Sequence, residues 1–132
     1  MEALGRYAPQ VLSILRIVTA AAYFEHGTQK LFAFPAPPPG GNTVAIGSIF
    51  GVAALLEVIL SPFVFVGLFT RYAAFILSGE MAVAYFMAHY PRSFFPIING
   101  GDAALLYCFI FFYLFFAGGG AWSVDRAIGR KV

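Results

Sequence analysis

The sequence predicts an all-α membrane protein, an antiparallel four-helix transmembrane bundle with both termini in the cytoplasm. Of its 132 residues, 61% are hydrophobic and only 11% are charged, whereas soluble domains contain about 45–50% apolar and about 25% charged residues. The apolar residues form four long runs separated by breaks rich in proline and glycine. Because lipid offers no hydrogen-bonding partners to open sheet edges, runs of this length are expected to be helices.

The four runs predict four spans within a single domain that covers residues 1–132. The spans are expected at about residues 9–34, 44–69, 72–90 and 102–117. Proline and glycine in FPAPPPGGN end the first span, and three consecutive glycines end the fourth. The first span resembles a signal peptide, but Arg16 interrupts its apolar core, so we expect a retained helix.

Lysine and arginine near the span ends predict the orientation. One side of the bundle carries Arg6, Arg71, Arg126, Arg130 and Lys131, and the other side carries Lys30 and Arg92. Since positive residues favour the cytoplasmic side, both termini are expected there, and the proline-rich loop is expected outside.

Charge and cysteine content exclude two other classes of function. The formal net charge of +2 is too small and too scattered to indicate a nucleic-acid partner. Cys108 is the single cysteine, so the chain cannot form an intramolecular disulfide or a CxxC redox pair. Any redox role would therefore depend on a bound cofactor or a partner protein.

Small residues in the second span predict close packing of helices. Gly47 and Gly51 have a GxxxG spacing, which Ala54 and Ser61 continue on roughly the same face. Whether such a face also joins two subunits of a homo-oligomer stays open. The residues to which we assign structural roles are Arg16, Gly47, Gly51 and Arg71.

Polar residues at membrane depth are the candidates for ligand binding or proton handling. They are Glu25, His26, Gln29, Lys30, Glu57, Glu80, His89, Asn99 and Asp102. The rise per residue of a helix places Glu57 and Glu80 near the centres of their spans and the others in one outer layer, with Arg92 at the same level. Asn99 or Asp102 is also expected to cap the last span.

Spacing within the first span predicts two polar faces. Glu25 pairs with Gln29, and His26 pairs with Lys30, each at a separation of four residues. The two faces lie about 100° apart, so both are expected to border one cavity between helices.

The balance of charge within the spans favours at least one neutral carboxyl group. Four acids (Glu25, Glu57, Glu80, Asp102) accompany two permanent bases, Arg16 and Lys30. A neutral buried carboxyl beside a histidine suits proton handling or a hydrogen bond to a carbonyl ligand. The alternatives are structural: the acids pair with Arg16 or other polar groups, and His26 only makes hydrogen bonds. Haem ligation by the two histidines, or a metal bound by Glu25 and His26, is disfavoured, so no metal site is predicted.

Several segments together resemble the DoxX family. They are EHGTQKLF (residues 25–32), Glu57, the stretch from Gly67 to Phe109, and WSVD (residues 122–125). The resemblance implies a small four-helix protein of the bacterial cytoplasmic (inner) membrane. Some members are membrane subunits of thiosulfate:quinone oxidoreductase, and others are linked to membrane-bound oxidoreductase complexes that respond to oxidative stress.

These observations favour a quinone- or small-lipophile-binding membrane subunit of a redox system, with a soluble oxidoreductase as partner. His26 and Lys30 would polarise a carbonyl, while Glu25, Glu80 or Asp102 would handle protons. One alternative is a non-enzymatic membrane anchor or scaffold for soluble oxidoreductases. A permease or channel-like oligomer is disfavoured, because four short spans leave little room for a path through one subunit. Whether the protein is itself an enzyme stays open.

Overall fold

The computed structural model describes residues 2–130, and this range is helical, with no strand. The α-helices are α1 (Glu2–Gly5), α2 (Ala8–Phe32), α3 (Ile49–Val66), α4 (Thr70–Ala84), α5 (Pro96–Asn99), α6 (Asp102–Ala117) and α7 (Val124–Ala127). A π-helical turn (Tyr85–His89) and a 3-10 turn (Tyr90–Arg92) follow α4. The all-α prediction is confirmed for this range. Lys131, which entered the orientation argument, lies outside the described residues.

Local signals set the bounds of the first two long helices. The helix α2 ends at Phe32 because Ala33 adopts a left-handed conformation, with φ of 54°. The helix α3 begins at Ile49, five residues later than predicted, because the Ser48 side chain caps it by accepting a hydrogen bond from Gly51 N at 3.1 Å. It ends at Val66, because the next residue, Gly67, has a φ of 75° that is easily accessible only to glycine.

A distant acid determines where α4 begins. The buried Asp125 carboxylate on α7 accepts hydrogen bonds from the backbone N–H groups of Phe69 and Thr70, both at 3.0 Å. This contact satisfies donors that the first turn of a helix leaves free, so α4 begins at Thr70 rather than at residue 72. Its α-helical hydrogen bonding stops at Ala84, and the chain continues as the π-helical turn to His89.

The long helices pack in two closely associated pairs. The helix α2 packs along α3, and α4 packs along α6; α3 also contacts α4. The apolar core between them includes Ala20, Tyr23, Leu77, Phe111 and Leu114, all at most 1% exposed.

The surface of the molecule is rich in apolar side chains, and several charged side chains are buried. Every long helix exposes large apolar side chains, phenylalanine among them, while Arg16, Glu57 and Asp125 are fully buried. Soluble proteins rarely expose apolar patches of this extent. This distribution is typical of a molecule whose outer surface meets an apolar solvent.

One helix within residues 2–130, Ile49–Val66, is both long enough and apolar enough to cross a membrane by length and composition. The helix α6 is apolar but has 16 residues, which corresponds to about 24 Å against a hydrocarbon core of about 30 Å. The helix α2 has 25 residues but carries Arg16, Glu25 and Lys30.

The close approach of helices occurs at a glycine that the spacing argument did not select. Gly47 lies in the turn before α3 and is exposed, so its assignment to a helix-packing motif is wrong. Gly51 is buried, but it packs against its own preceding turn at Ala45 and Ile46. Gly27 of α2 lies directly on α3, where an added Cβ would be 2.9 Å from the Ala54 carbonyl oxygen.

Gly27→Ala is expected to destabilise the protein by about 1–3 kcal/mol, because the new methyl group cannot be placed without separating α2 from α3. An added Cβ would be 2.7 Å from Val58 Cγ2 and 2.9 Å from Glu57 Cβ. Thermal unfolding in detergent would measure the loss. Gly79→Ala is the matched control, since a Cβ there meets nothing within 4 Å. Equal melting temperatures for the two variants would contradict this account of the contact.

Arg16 joins three parts of the chain at the end of the bundle opposite the EHGTQKLF segment. Its buried guanidinium donates to the carbonyl oxygens of Gly119 (2.8 Å) and Trp122 (2.7 Å) in the tail, residues 118–130, which follows α6. It also donates to Val64 O at 2.5 Å and to Phe65 O in the last turn of α3. One side chain therefore satisfies several backbone carbonyls at once, including that of Val64, which also accepts a hydrogen bond from Gly67 N at 3.1 Å.

Arg71 makes the corresponding contact between α4 and α6. Its guanidinium donates to the carbonyl oxygens of Phe115 (2.8 Å) and Phe116 (2.6 Å) in the last turn of α6. Both arginines therefore bind the carboxyl end of a neighbouring helix, where the helix dipole also favours a positive charge. The alternative in which Arg16 pairs with Glu57 or Glu80 is wrong, because Arg16 binds backbone carbonyls and Glu57 binds Lys30.

Candidate ligand site

A cavity of about 370 Å³ lies among α2, α3, α4 and α6. Seven polar or aromatic polar side chains line it: Tyr23, His26, Lys30, Glu57, Glu80, His89 and Tyr107. Most of the remaining wall consists of alanine and other apolar side chains. Largely apolar walls with a few convergent polar groups are typical of small-molecule sites.

The helix α2 supplies three of these residues from one face. Tyr23, His26 and Lys30 follow one another at separations of three and four residues, so their side chains stack along the same side of the helix. Gly27 lets this side of α2 approach α3 closely, which brings Lys30 within reach of Glu57. The local sequence therefore positions the polar wall of the cavity.

Lys30 and Glu57 form an ion pair across the interface between α2 and α3. The distance between Lys30 Nζ and Glu57 Oε1 is 2.6 Å. The Glu57 side chain is 1% exposed and that of Lys30 is 29% exposed, so the lysine amine lies at the edge of the cavity. The second carboxylate oxygen of Glu57 is buried and has no hydrogen-bond partner within the described residues.

Glu80 brings a second carboxyl group to the same cavity. Both of its oxygens are buried, and neither has a hydrogen-bond partner among residues 2–130. The Tyr23 hydroxyl, also buried and unpartnered over that range, is its neighbour, and Glu57 lies beside it. Unpaired buried polar atoms are costly and rare in folded proteins. Their concentration here makes the cavity a candidate site for a ligand that donates and accepts hydrogen bonds.

Two aromatic rings frame His26 at the mouth of the cavity. The imidazole meets the Tyr107 ring edge-on, with centroids 5.6 Å apart, and lies 6.1 Å from the Tyr23 ring. His26 is exposed, so its ring can contact both a ligand in the cavity and the surroundings of the protein.

The π-helical turn places His89 on the opposite wall. π-helical turns often occur at functional sites because they redirect side chains. His89 Nδ1 lies 3.1 Å from the Asn99 carbonyl oxygen, which orients the ring. The Asn99 side chain is buried and joins three segments: it donates to Ser93 O (2.9 Å) and Tyr85 Oη (3.2 Å), and it accepts from Gly101 N (2.7 Å).

The comparisons with known proteins identify the family. A family model described as DoxX matches residues 11–90, more than half of the chain. The chain belongs to the DoxX family. An uncharacterized protein of Haemophilus influenzae is 45% identical over 134 residues, which cover 99% of this chain and 100% of the relative. No solved structure matches the chain significantly.

Membership of the DoxX family confirms the resemblance seen in the sequence and supports an integral membrane protein. The matched range runs from the first turn of α2 to the residue after His89. It therefore contains every polar side chain of the cavity except that of Tyr107. The name of the Haemophilus relative gives no activity, so the chemistry must be argued from the side chains of this cavity.

Not all of the predicted site residues of this DoxX protein reach the cavity. Glu25 and Gln29 lie on the other face of α2, so the expectation that both faces border one cavity is wrong. Arg92 and Asp102 are exposed and do not line it. Asp102 begins α6 without capping it, and the Asn99 side chain closes the preceding turn, so neither residue is the N-cap of α6.

Sequence reasoning missed the two tyrosines. Tyr23 lies three residues before His26, on the same helical face, and this spacing would have placed it in the site. Tyr107 carried no such signal, because its rotation about α6 depends on how that helix packs. Among residues 2–130, no group of three or more histidine, cysteine, aspartate or glutamate side chains is arranged to hold a metal ion.

Proposed function

We propose that this DoxX protein binds a quinone, or a lipophile with a similar polar ring, in the cavity between its helices. The protein would cross the bacterial cytoplasmic membrane as an antiparallel four-helix transmembrane bundle with both termini in the cytoplasm. It would act as the membrane subunit of a redox system whose electron donor is a soluble oxidoreductase. The observation that carries the proposal is the buried, unpartnered carboxyl group of Glu80, in a mostly apolar cavity beside an ion pair.

The chemistry of the cavity suits a ring that carries carbonyl or hydroxyl groups. The Lys30 ammonium and the His26 imidazole can each donate a hydrogen bond to a carbonyl oxygen. A positive charge at that oxygen stabilises the negative charge that develops when the ring is reduced. Reduction of a quinone to a quinol takes two electrons, which the partner supplies, and two protons.

Glu80 is the proton-handling residue in this proposal. A protonated carboxyl group has an O–H to donate, and an ionised one accepts only, so Glu80 can serve either a carbonyl or a hydroxyl of the ligand. Glu25 and Asp102, which the sequence offered as alternatives for this role, do not line the cavity. The Tyr23 hydroxyl lies beside Glu80 in the cavity and would take part in the same proton transfer.

His26→Ala is expected to lower the quinone content of the purified protein about tenfold or more, because it removes a hydrogen-bond donor at the mouth of the cavity. The measurement is solvent extraction and mass analysis of lipophiles that co-purify with each variant in native lipid. Gln29→Ala is the matched control, since Gln29 lies close by on α2 but outside the cavity. Equal quinone content in wild type and His26→Ala would contradict the proposal.

A non-enzymatic anchor for soluble oxidoreductases is the second candidate, and one observation favours it. The Lys30–Glu57 ion pair joins α2 to α3 at 2.6 Å, as a polar layer that only holds the bundle together would do. An anchor would retain its soluble partner whether or not quinone is present. Capture of the same partner by wild type and by a quinone-free His26→Ala protein would favour this candidate.

A further inference from the structure

An apolar groove of about 270 Å³ runs along the outer surface between α3 and α4. Val52 and Leu56 of α3 line one side, and Ile76 and Val83 of α4 line the other. Val52, Ile76 and Val83 are each more than 40% exposed, so the groove opens to the surroundings of the molecule. In the proposed orientation, those surroundings are the acyl chains of the bilayer.

The groove and the polar cavity share a wall. Phe50, Ala53, Glu80, Ala84 and Ala88 line both of them. Three of these five side chains are methyl groups, which leaves the partition between the two spaces thin. Glu80 has its unpartnered carboxyl group at this junction. A ligand with its head in the cavity would therefore have its apolar chain next to the groove between α3 and α4.

We infer that this groove holds the apolar chain of the cavity ligand, which enters sideways from the bilayer between α3 and α4. The inference rests on the proposed function and narrows its ligand class. The ligand is an amphiphile with a carbonyl- or hydroxyl-bearing head and an apolar chain, rather than a small ring alone. A prenylated quinone and a lipid share this chemistry, and their masses distinguish them.

Gly79 is a suitable position for a substitution that fills the groove. It lies on α4 among the groove residues, and a Cβ built on it meets nothing within 4 Å. Gly79→Leu therefore fills the groove without a clash between the new Cβ and the rest of the protein, and it improves helix propensity. Ala21→Leu is the matched control, since it adds similar bulk at an exposed position of α2 that does not line the groove.

The test is mass analysis of co-purifying lipophiles from wild type, Gly79→Leu, Ala21→Leu and His26→Ala. The inference expects Gly79→Leu to lose about tenfold or more of the bound lipophile, with Ala21→Leu unchanged. Equal retention by Gly79→Leu and Ala21→Leu would overturn it.

The four proteins also separate this inference from the proposed function. Loss in His26→Ala alone would overturn the groove and leave the proposed head site intact. Loss in Gly79→Leu alone would support the groove and overturn the role of His26. A wild-type protein that carries no lipophile would overturn both. A mass that corresponds to a prenylated quinone supports both proposals, and a phospholipid mass supports the groove and overturns the quinone as the ligand of the cavity.

Discussion

Arg16→Met is expected to destabilise the protein by about 3 kcal/mol or more. The guanidinium donates to backbone carbonyls of α3 and of the tail, and methionine would remove this donor from all of them, including the buried carbonyl of Gly119. Each unsatisfied buried acceptor costs about 1–3 kcal/mol, and water cannot replace the lost donor in an apolar environment. Thermal unfolding in detergent would measure the effect.

Two further variants separate the charge of Arg16 from its shape. Arg16→Lys keeps the positive charge but cannot reproduce the planar set of donors, so we expect it to recover only part of the loss. Arg6→Met is the matched control, because Arg6 is exposed and donates to the hydroxyl of the neighbouring Tyr7 at 2.9 Å. If Arg16→Met melted at the same temperature as Arg6→Met, the account of the tail contact would be wrong.

Lys30→Met is expected to destabilise the protein by about 3–5 kcal/mol, since it leaves the buried Glu57 carboxylate without its partner. The ion pair measures 2.6 Å, and the Glu57 side chain is 1% exposed. The second Glu57 oxygen has no hydrogen-bond partner in residues 2–130, so Lys30 is the one donor that this carboxylate has there. Thermal unfolding of the purified variant again provides the measurement.

A double-mutant cycle tests whether the loss comes from the unpaired charge. Glu57→Gln in the Lys30→Met background removes that charge and is expected to recover much of the lost stability. Gln29→Met is the matched control, because Gln29 is the neighbouring residue of α2 and does not line the cavity. Additive losses in the double variant would show that Lys30 and Glu57 do not act as a pair.

The helix boundaries were predictable where the local sequence determines them. Three glycines end α6 at Ala117, as predicted. The helix α2 ends at Phe32, two residues before the predicted end, and proline-rich sequence follows it. The errors arose where a distant residue decides the boundary. The start of α4 depends on Asp125, which lies 55 residues beyond Thr70 in the chain, and no local pattern reports such a contact.

The candidate site was predictable only in part. His26, Lys30 and His89, which their heights along the helices placed in one outer layer, line one cavity, and Glu57 and Glu80, which their heights placed near the span centres, line it as well. Spacing along α2 could not decide between its two polar faces, because the choice depends on the contact of Gly27 with α3. Packing between helices also decides that Tyr107 lines the cavity and that Glu25 does not. The rotation of each helix about its axis is set by packing between helices, which a single sequence does not contain.

The partners of Arg16 also constrain the order in which the molecule can be assembled. Synthesis proceeds from the amino end, so α2 enters its environment well before residues 119–122 have been made. Until those residues arrive, Arg16 lacks two of its carbonyl partners, Gly119 and Trp122. A segment made after α6 therefore completes the hydrogen bonds of the first long helix.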